Sequence, residues 1–82
     1  MGKPGTILVV DDEERLRVSL GEILESWGYE RRLAADGRAA LAALERGGID
    51  LALVDVRMPA VGGMDVLRRA RALAPELPVV MM

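Results

Sequence analysis

Hydrophobic and polar positions along the chain follow two different periods. Thr6-Ile7-Leu8-Val9-Val10 is a short apolar run rich in β-branched residues, the mark of a strand covered on both faces. From Glu14 the spacing becomes helical. Leu16, Leu20, Ile23, Leu24 and Trp27 fall on one stripe, which predicts a helix from Glu14 to Trp27. Gly28 follows at the position where a helix-terminating glycine belongs. Tyr29 to Ala34 reads as a second strand. Asp36 is placed to cap a helix running to Arg46, which Gly47-Gly48 close. Ile49 to Val54 predicts a third strand, again apolar on both faces. A loop bearing Pro and Gly, Val56 to Gly63, leads to a third helix from Met64 to Leu73, ended by Ala74-Pro75. Val79-Val80-Met81-Met82 begins a fourth strand.

The order βαβαβαβ implies right-handed crossovers, a parallel sheet and helices on both of its faces. Such sheets bind ligands beyond the carboxyl ends of their strands, where the strand order reverses. The residues that follow each strand are therefore the ones to search for chemistry.

Composition narrows the classes. At 82 residues, 51% apolar and 29% charged, the chain has room for one small domain. A domain this small buries only about 60% of the surface its unfolded chain exposes. With no Phe, one Trp and one Tyr, its core must come from Leu, Val, Ala and Ile. The absence of Cys excludes disulfides, thiolate metal sites and cysteine nucleophiles. The absence of His excludes histidine-based triads and most transition-metal sites. A net charge of −2 and a pI near 5.0 give no basic footprint for nucleic acid. Arg68, Arg69 and Arg71 lie on a predicted helix and read as a solvated face, so no direct nucleic-acid contact is expected. No apolar run approaches the ~20 residues needed to cross a bilayer. Met1 to Thr6 formally fits a myristoylation pattern. However, Thr6 opens a strand and Pro4-Gly5 reads as a leader, so residues 1–5 are taken as leader and the expected location is the cytoplasm.

Asp11-Asp12-Glu13-Glu14 follow the first strand, and Asp55 follows the third. Acidic residues beside a helix start are favoured by the helix dipole, which alone explains Asp12 to Glu14. Asp55 has no such explanation. If the two strands are neighbours, Asp11, Asp12 and Asp55 converge on one rim, and Arg57 is the one cation expected in these strand-end turns. Two carboxylates ~5 Å apart at an effective dielectric of ~20 repel by roughly 3 kcal/mol. A hard divalent cation relieves this. Mg²⁺ takes carboxylates, a backbone carbonyl, waters and often a phosphate oxygen. The loop Asp55-Val56-Arg57-Met58-Pro59 can supply such a carbonyl. The residues alone thus suggest an oxygen-ligand Mg²⁺ site beside a carboxylate able to accept a phosphoryl group.

Ile7-Leu8-Val9-Val10-Asp11-Asp12-Glu13, Asp36-Gly37, and Leu53-Val54-Asp55-Val56-Arg57-Met58-Pro59 with Gly63 together resemble the receiver domain of bacterial two-component response regulators. The resemblance runs from Thr6 to Met82, and looks most like receivers attached to NtrC-type or related transcription activators. It implies a flavodoxin-like doubly wound parallel sheet in the order 2-1-3-4, with a fifth strand in the complete domain. It further implies that Asp55 is the phosphoacceptor, with a sensor histidine kinase as donor. Asp12 matches the direct Mg²⁺ ligand, and Asp11 the acid that acts through a bound water. The Arg57 backbone carbonyl matches the main-chain metal ligand, while Met58, Pro59 and Gly63 match the turn that shapes the site loop.

The chain departs from that pattern in several places. The hydroxyl residue and the lysine of receivers have no counterpart here, since Thr6 and Lys3 belong to the opposite end of the sheet. Gly62 stands where receivers usually carry a polar residue, and Arg31 where they carry an apolar one in the second strand, which would weaken that edge. Residues 6–82 therefore read as the N-terminal part of one receiver, truncated after the fourth strand. That strand is then an open apolar edge through which self-association is expected, and the face of the first helix is expected to be half covered. Two alternatives stay open. A phosphorylation-independent interaction module would keep the fold and ignore Mg²⁺. A haloacid-dehalogenase-type phosphohydrolase would place its two acids two residues apart after the first strand, whereas here they are adjacent.

Overall fold

The computed structural model describes residues 5–57 and 62–82, and within them four strands alternate with three helices. The elements are β1 (Thr6–Val10), α1 (Glu14–Ser26), β2 (Glu30–Ala34), α2 (Gly37–Arg46), β3 (Leu51–Val54), α3 (Gly63–Leu73) and β4 (Val79–Met81). All strand pairs are parallel, in the order β2-β1-β3-β4. That is the flavodoxin-like arrangement the resemblance implies. Met58 and Pro59 lie outside the described residues.

β1 is the spine, and its alternation divides the core in two. Leu8 and Val10 face the layer of α2 and α3, packing with Ala40, Ala43, Leu44, Val66 and Ala70. Ile7 and Val9 face α1 and meet Leu24, with Leu20 and Tyr29 alongside. Small side chains let these layers approach closely. Ala40, Val54, Val66 and Ala70 are completely buried.

Local signals account for the helix ends. The Asp36 carboxylate caps α2 by accepting from the Ala39 amide at 2.8 Å. Gly47 ends that helix at φ 76°, a conformation that favours glycine. Gly28 does the same after α1 at φ 91°.

The apolar face of α1 is half covered, as expected, and the double-sided covering of β3 needs correction. The buried stripe of α1 consists of Gly21 and Leu24 with half-buried Leu20 and Arg17. Leu16, Ile23 and Trp27 are 50%, 46% and 67% exposed. The helix is rotated so that its i, i+3, i+4, i+7 row from Arg17 meets β1 and β2, leaving the more apolar row from Leu16 open to water. α1 lies over β1 and β2, and β3 is fully covered on one face only. Ala52 and Val54 are buried, while Leu51 and Leu53 on the α1 side are half-buried.

Arg31 also has a local partner. Its guanidinium lies 3.1 Å from Glu25. Its stem crosses Gly21, where a Cβ would come within 2.8 Å of Arg31 Cδ. A charged residue on β2 is thus laid over a glycine of the helix and paired with Glu25.

Candidate acidic site

Sheet order brings the acids together. β1 and β3 are neighbours with Val10 opposite Val54, so the residues after each strand emerge side by side. The Asp55 amide donates to the Val10 carbonyl at 2.8 Å, which fixes Asp55 beside the start of the β1–α1 loop. Carboxylate oxygens of Asp11, Asp12 and Asp55 all lie within 4.8 Å of one another.

The three acids differ in surroundings. Asp11 is 4% exposed, Asp55 is half-buried, and Asp12 faces water. Asp11 Oδ1 accepts the Glu13 amide at 2.9 Å, and Asp55 Oδ1 accepts the Arg57 amide at 3.0 Å. Both are turns in which an aspartate bonds the backbone two residues on, and both orient a carboxylate without a neighbouring side chain. Asp12 has no side-chain hydrogen bond among the described residues.

No described arginine forms an ion pair with these carboxylates. At an effective dielectric of ~20, each pair of charges at this separation repels by about 3 kcal/mol, an upper value given the exposure of Asp12. The donor set is oxygen only, convergent and incompletely compensated. That chemistry fits a hard divalent cation such as Mg²⁺ and does not suit softer metals.

The loop after β3 is held from both sides. The Val56 amide bonds the Met82 carbonyl at 3.3 Å, and the Met82 amide bonds the Val54 carbonyl at 2.8 Å. On the other side, Gly63 opens α3 directly against this loop. A Cβ there would lie 2.6 Å from Val56 Cα and would overlap the Asp55 carbonyl oxygen. Gly63 thus shapes the loop by close backbone approach. Arg57 is exposed, and its amide rather than its guanidinium makes the described contact with Asp55.

Among the described residues, the arginine side chain that bonds this rim is Arg17. Arg17 Nη1 donates to the Asp11 carbonyl at 2.9 Å. The search of strand-end turns missed it because Arg17 lies inside the helix. Its signal was an arginine in an inward row, four residues before Gly21 and seven before Leu24.

Comparison with known proteins yields one family. The model of the response regulator receiver domain matches residues 7–82. Sensory transduction protein RegX3 of Mycobacterium bovis is 40% identical over 76 residues, covering 93% of this chain and 33% of that protein. Transcriptional regulatory protein ZraR of Escherichia coli K12 is 42% identical over 76 residues, covering 93% of this chain and 17% of that protein. Among solved structures, response regulator protein TrrA of Thermotoga maritima in complex with Mg²⁺-BeF superposes with a TM-score of 0.89 at 35% identity. That match covers 94% of this chain and 67% of the TrrA chain. The chain therefore spans a third or less of these two curated relatives.

Proposed function

Because the chain belongs to the response regulator receiver domain family, we propose that it is a phosphoacceptor switch in which Asp55 receives a phosphoryl group from a sensor histidine kinase. The convergence of Asp11, Asp12 and Asp55 within 4.8 Å carries this reading.

Asp55 is the acceptor. Its Oδ1 is tied to the Arg57 amide, so the carboxylate is oriented before a donor arrives. A carboxylate oxygen of Asp55 attacks the phosphorus of a phosphohistidine. The new O–P bond forms as the P–N bond breaks, and the released imidazole nitrogen takes up a proton. Asp12 and Asp55 would hold Mg²⁺ directly, the Arg57 carbonyl would complete the main-chain ligation, and Asp11 would act through a water. When bound, the cation supplies charge neutralisation for the phosphoryl oxygens. The protein's own contribution is placement, since three carboxylates otherwise repel an anionic donor.

Nothing in this scheme turns over a substrate, so the domain is read as a switch rather than an enzyme. Its output is read as transcriptional, in line with the name of ZraR. No described helix is long and apolar enough to cross a membrane, and the cytoplasm is the proposed location. β4 is paired on one side only among the described residues. A second copy is the proposed occupant of that edge for this chain.

Phosphotransfer tests the reading. With a small phosphodonor and Mg²⁺, labelling is expected on the protein and lost in Asp55→Asn. Strong labelling that survives Asp55→Asn would overturn it.

A further inference from the structure

The hydrogen-bond ladder between β1 and β2 ends at Asp11. The Asp11 amide donates to the Ala34 carbonyl at 3.1 Å, one residue past the last paired position, Val10 with Ala34. In a parallel ladder a residue's amide and carbonyl address the same neighbouring strand. The Asp11 carbonyl therefore also faces the β2 side. There the chain has already left the sheet, because Asp36 is capping α2.

Arg17 takes the place of the missing strand amide, donating from Nη1 at 2.9 Å. It is a half-buried charged residue at the head of the inward row of α1, above Gly21 and Leu24. The consequence falls on Asp12. The Asp11 carbonyl and the Asp12 amide belong to one rigid planar unit. Asp11 and Asp55 are each oriented through their own Oδ1. Asp12, with no described side-chain bond, depends on its backbone alone for direction.

We propose that Arg17 is a positioning residue of the acidic site: by pinning the Asp11–Asp12 peptide it presents the Asp12 carboxylate beside those of Asp11 and Asp55. This rests on the Mg²⁺ reading above. It also makes a prediction of unusual sign. A cation that acted only through its charge would repel Mg²⁺, so its removal would tighten binding. A positioning residue gives the reverse.

The test is calorimetric titration with Mg²⁺ alone, together with ¹⁵N relaxation of the metal-free protein, on wild type, Arg17→Met, Arg17→Lys and Asp12→Asn. Met keeps the apolar stem and the helix propensity of arginine. Arg17→Met is expected to weaken Mg²⁺ binding about tenfold, the scale seen when an outer partner of a metal ligand is removed. The order parameter of the Asp12 amide should fall in the same variant. Arg17→Lys, which keeps a charged donor of similar reach, should recover both. Unchanged or tighter Mg²⁺ binding in Arg17→Met would overturn the inference, as would lower stability with both Mg²⁺ affinity and the Asp12 amide unmoved. If wild type and Asp12→Asn both fail to take up Mg²⁺, the metal reading falls and this inference with it. If wild type binds and Asp12→Asn does not, the metal reading stands whatever Arg17→Met does.

Discussion

Gly63→Ala separates two forces that act in opposite directions. Within a helix, alanine is favoured over glycine by about 1 kcal/mol, so propensity alone predicts a more stable protein. Packing predicts the reverse. The added Cβ would lie 2.6 Å from Val56 Cα and 3.0 Å from the Asp55 carbonyl carbon, and nearer still to the Asp55 oxygen. Carbon atoms in contact normally sit about 3.5–4.0 Å apart. Roughly 1 Å of relief is needed, and all three obstacles are backbone. Neither side gives easily. Asp55 is bonded to Val10 and Val56 to Met82, while α3 is anchored by Val66 and Ala70, both completely buried. Overpacking of this kind costs typically 1–3 kcal/mol, and the upper end applies where no side chain can swing aside. Setting ~3 against ~1 leaves a net loss of about 2 kcal/mol, or a Tm lowered by roughly 8–16 °C for a domain of this size. Thermal unfolding by circular dichroism reads this directly. Gly21→Ala is the internal control. Its Cβ meets Arg31 Cδ and Nε at 2.8 and 2.9 Å, a similar overlap, but with a side chain that can move. Its effect should stay within about 1 kcal/mol. A Gly63→Ala protein as stable as wild type, or more so, would refute the argument that the start of α3 is seated on the Asp55 loop.

Further outcomes follow from the same structure. Asp36→Ala removes the acceptor for the Ala39 amide at the head of α2; a loss of about 1 kcal/mol is expected in urea unfolding, with an unchanged m-value. Sedimentation velocity across a concentration series should show this chain associating as concentration rises, through the edge of β4. A single compact species at every concentration would sink that proposal.

Much of the fold was legible because its signals are local. β1 is a run of five residues buried or half-buried along its length, so its apolar pattern needed no tertiary context. Asp36, Gly28 and Gly47 act within a turn of their own helices, and each does what its position implies. The apolar stripe of α1 is only half covered, and the helix offers two candidate rows for the sheet. Leu20 and Leu24 belong to the buried face either way. The choice between Leu16 with Ile23 and Arg17 with Gly21 depends on what lies opposite. Across the sheet lie Leu33 and the stem of Arg31 on β2, and the latter lies over the bare Cα of Gly21. Hydrophobicity ranks leucine and isoleucine above arginine and glycine, so it does not by itself show which row meets the sheet. The contact at Gly21 spans ten residues and so lies beyond any local pattern.

The same rotation of α1 sets the chemistry of the acidic rim. Had the row from Leu16 faced the sheet, Arg17 would have turned outward and the Asp11 carbonyl would have lost its donor at the end of the β1–β2 ladder. With Arg17 inward, one arginine supports the loop between β1 and α1 while its charge is directed at a carbonyl rather than at a carboxylate. The acids consequently keep their capacity for an external cation. An ion pair between that arginine and Asp12 would have relieved the repulsion internally and competed with Mg²⁺ for the same oxygens. The glycine at position 21, which looks like a weakness in a helix, leaves room for the Arg31 stem. Packing on the apolar side of α1 and the proposed Mg²⁺ site at its head are in this way parts of one arrangement. A substitution that rolled the helix toward Leu16 would therefore register at Asp12 without touching any of the three acids.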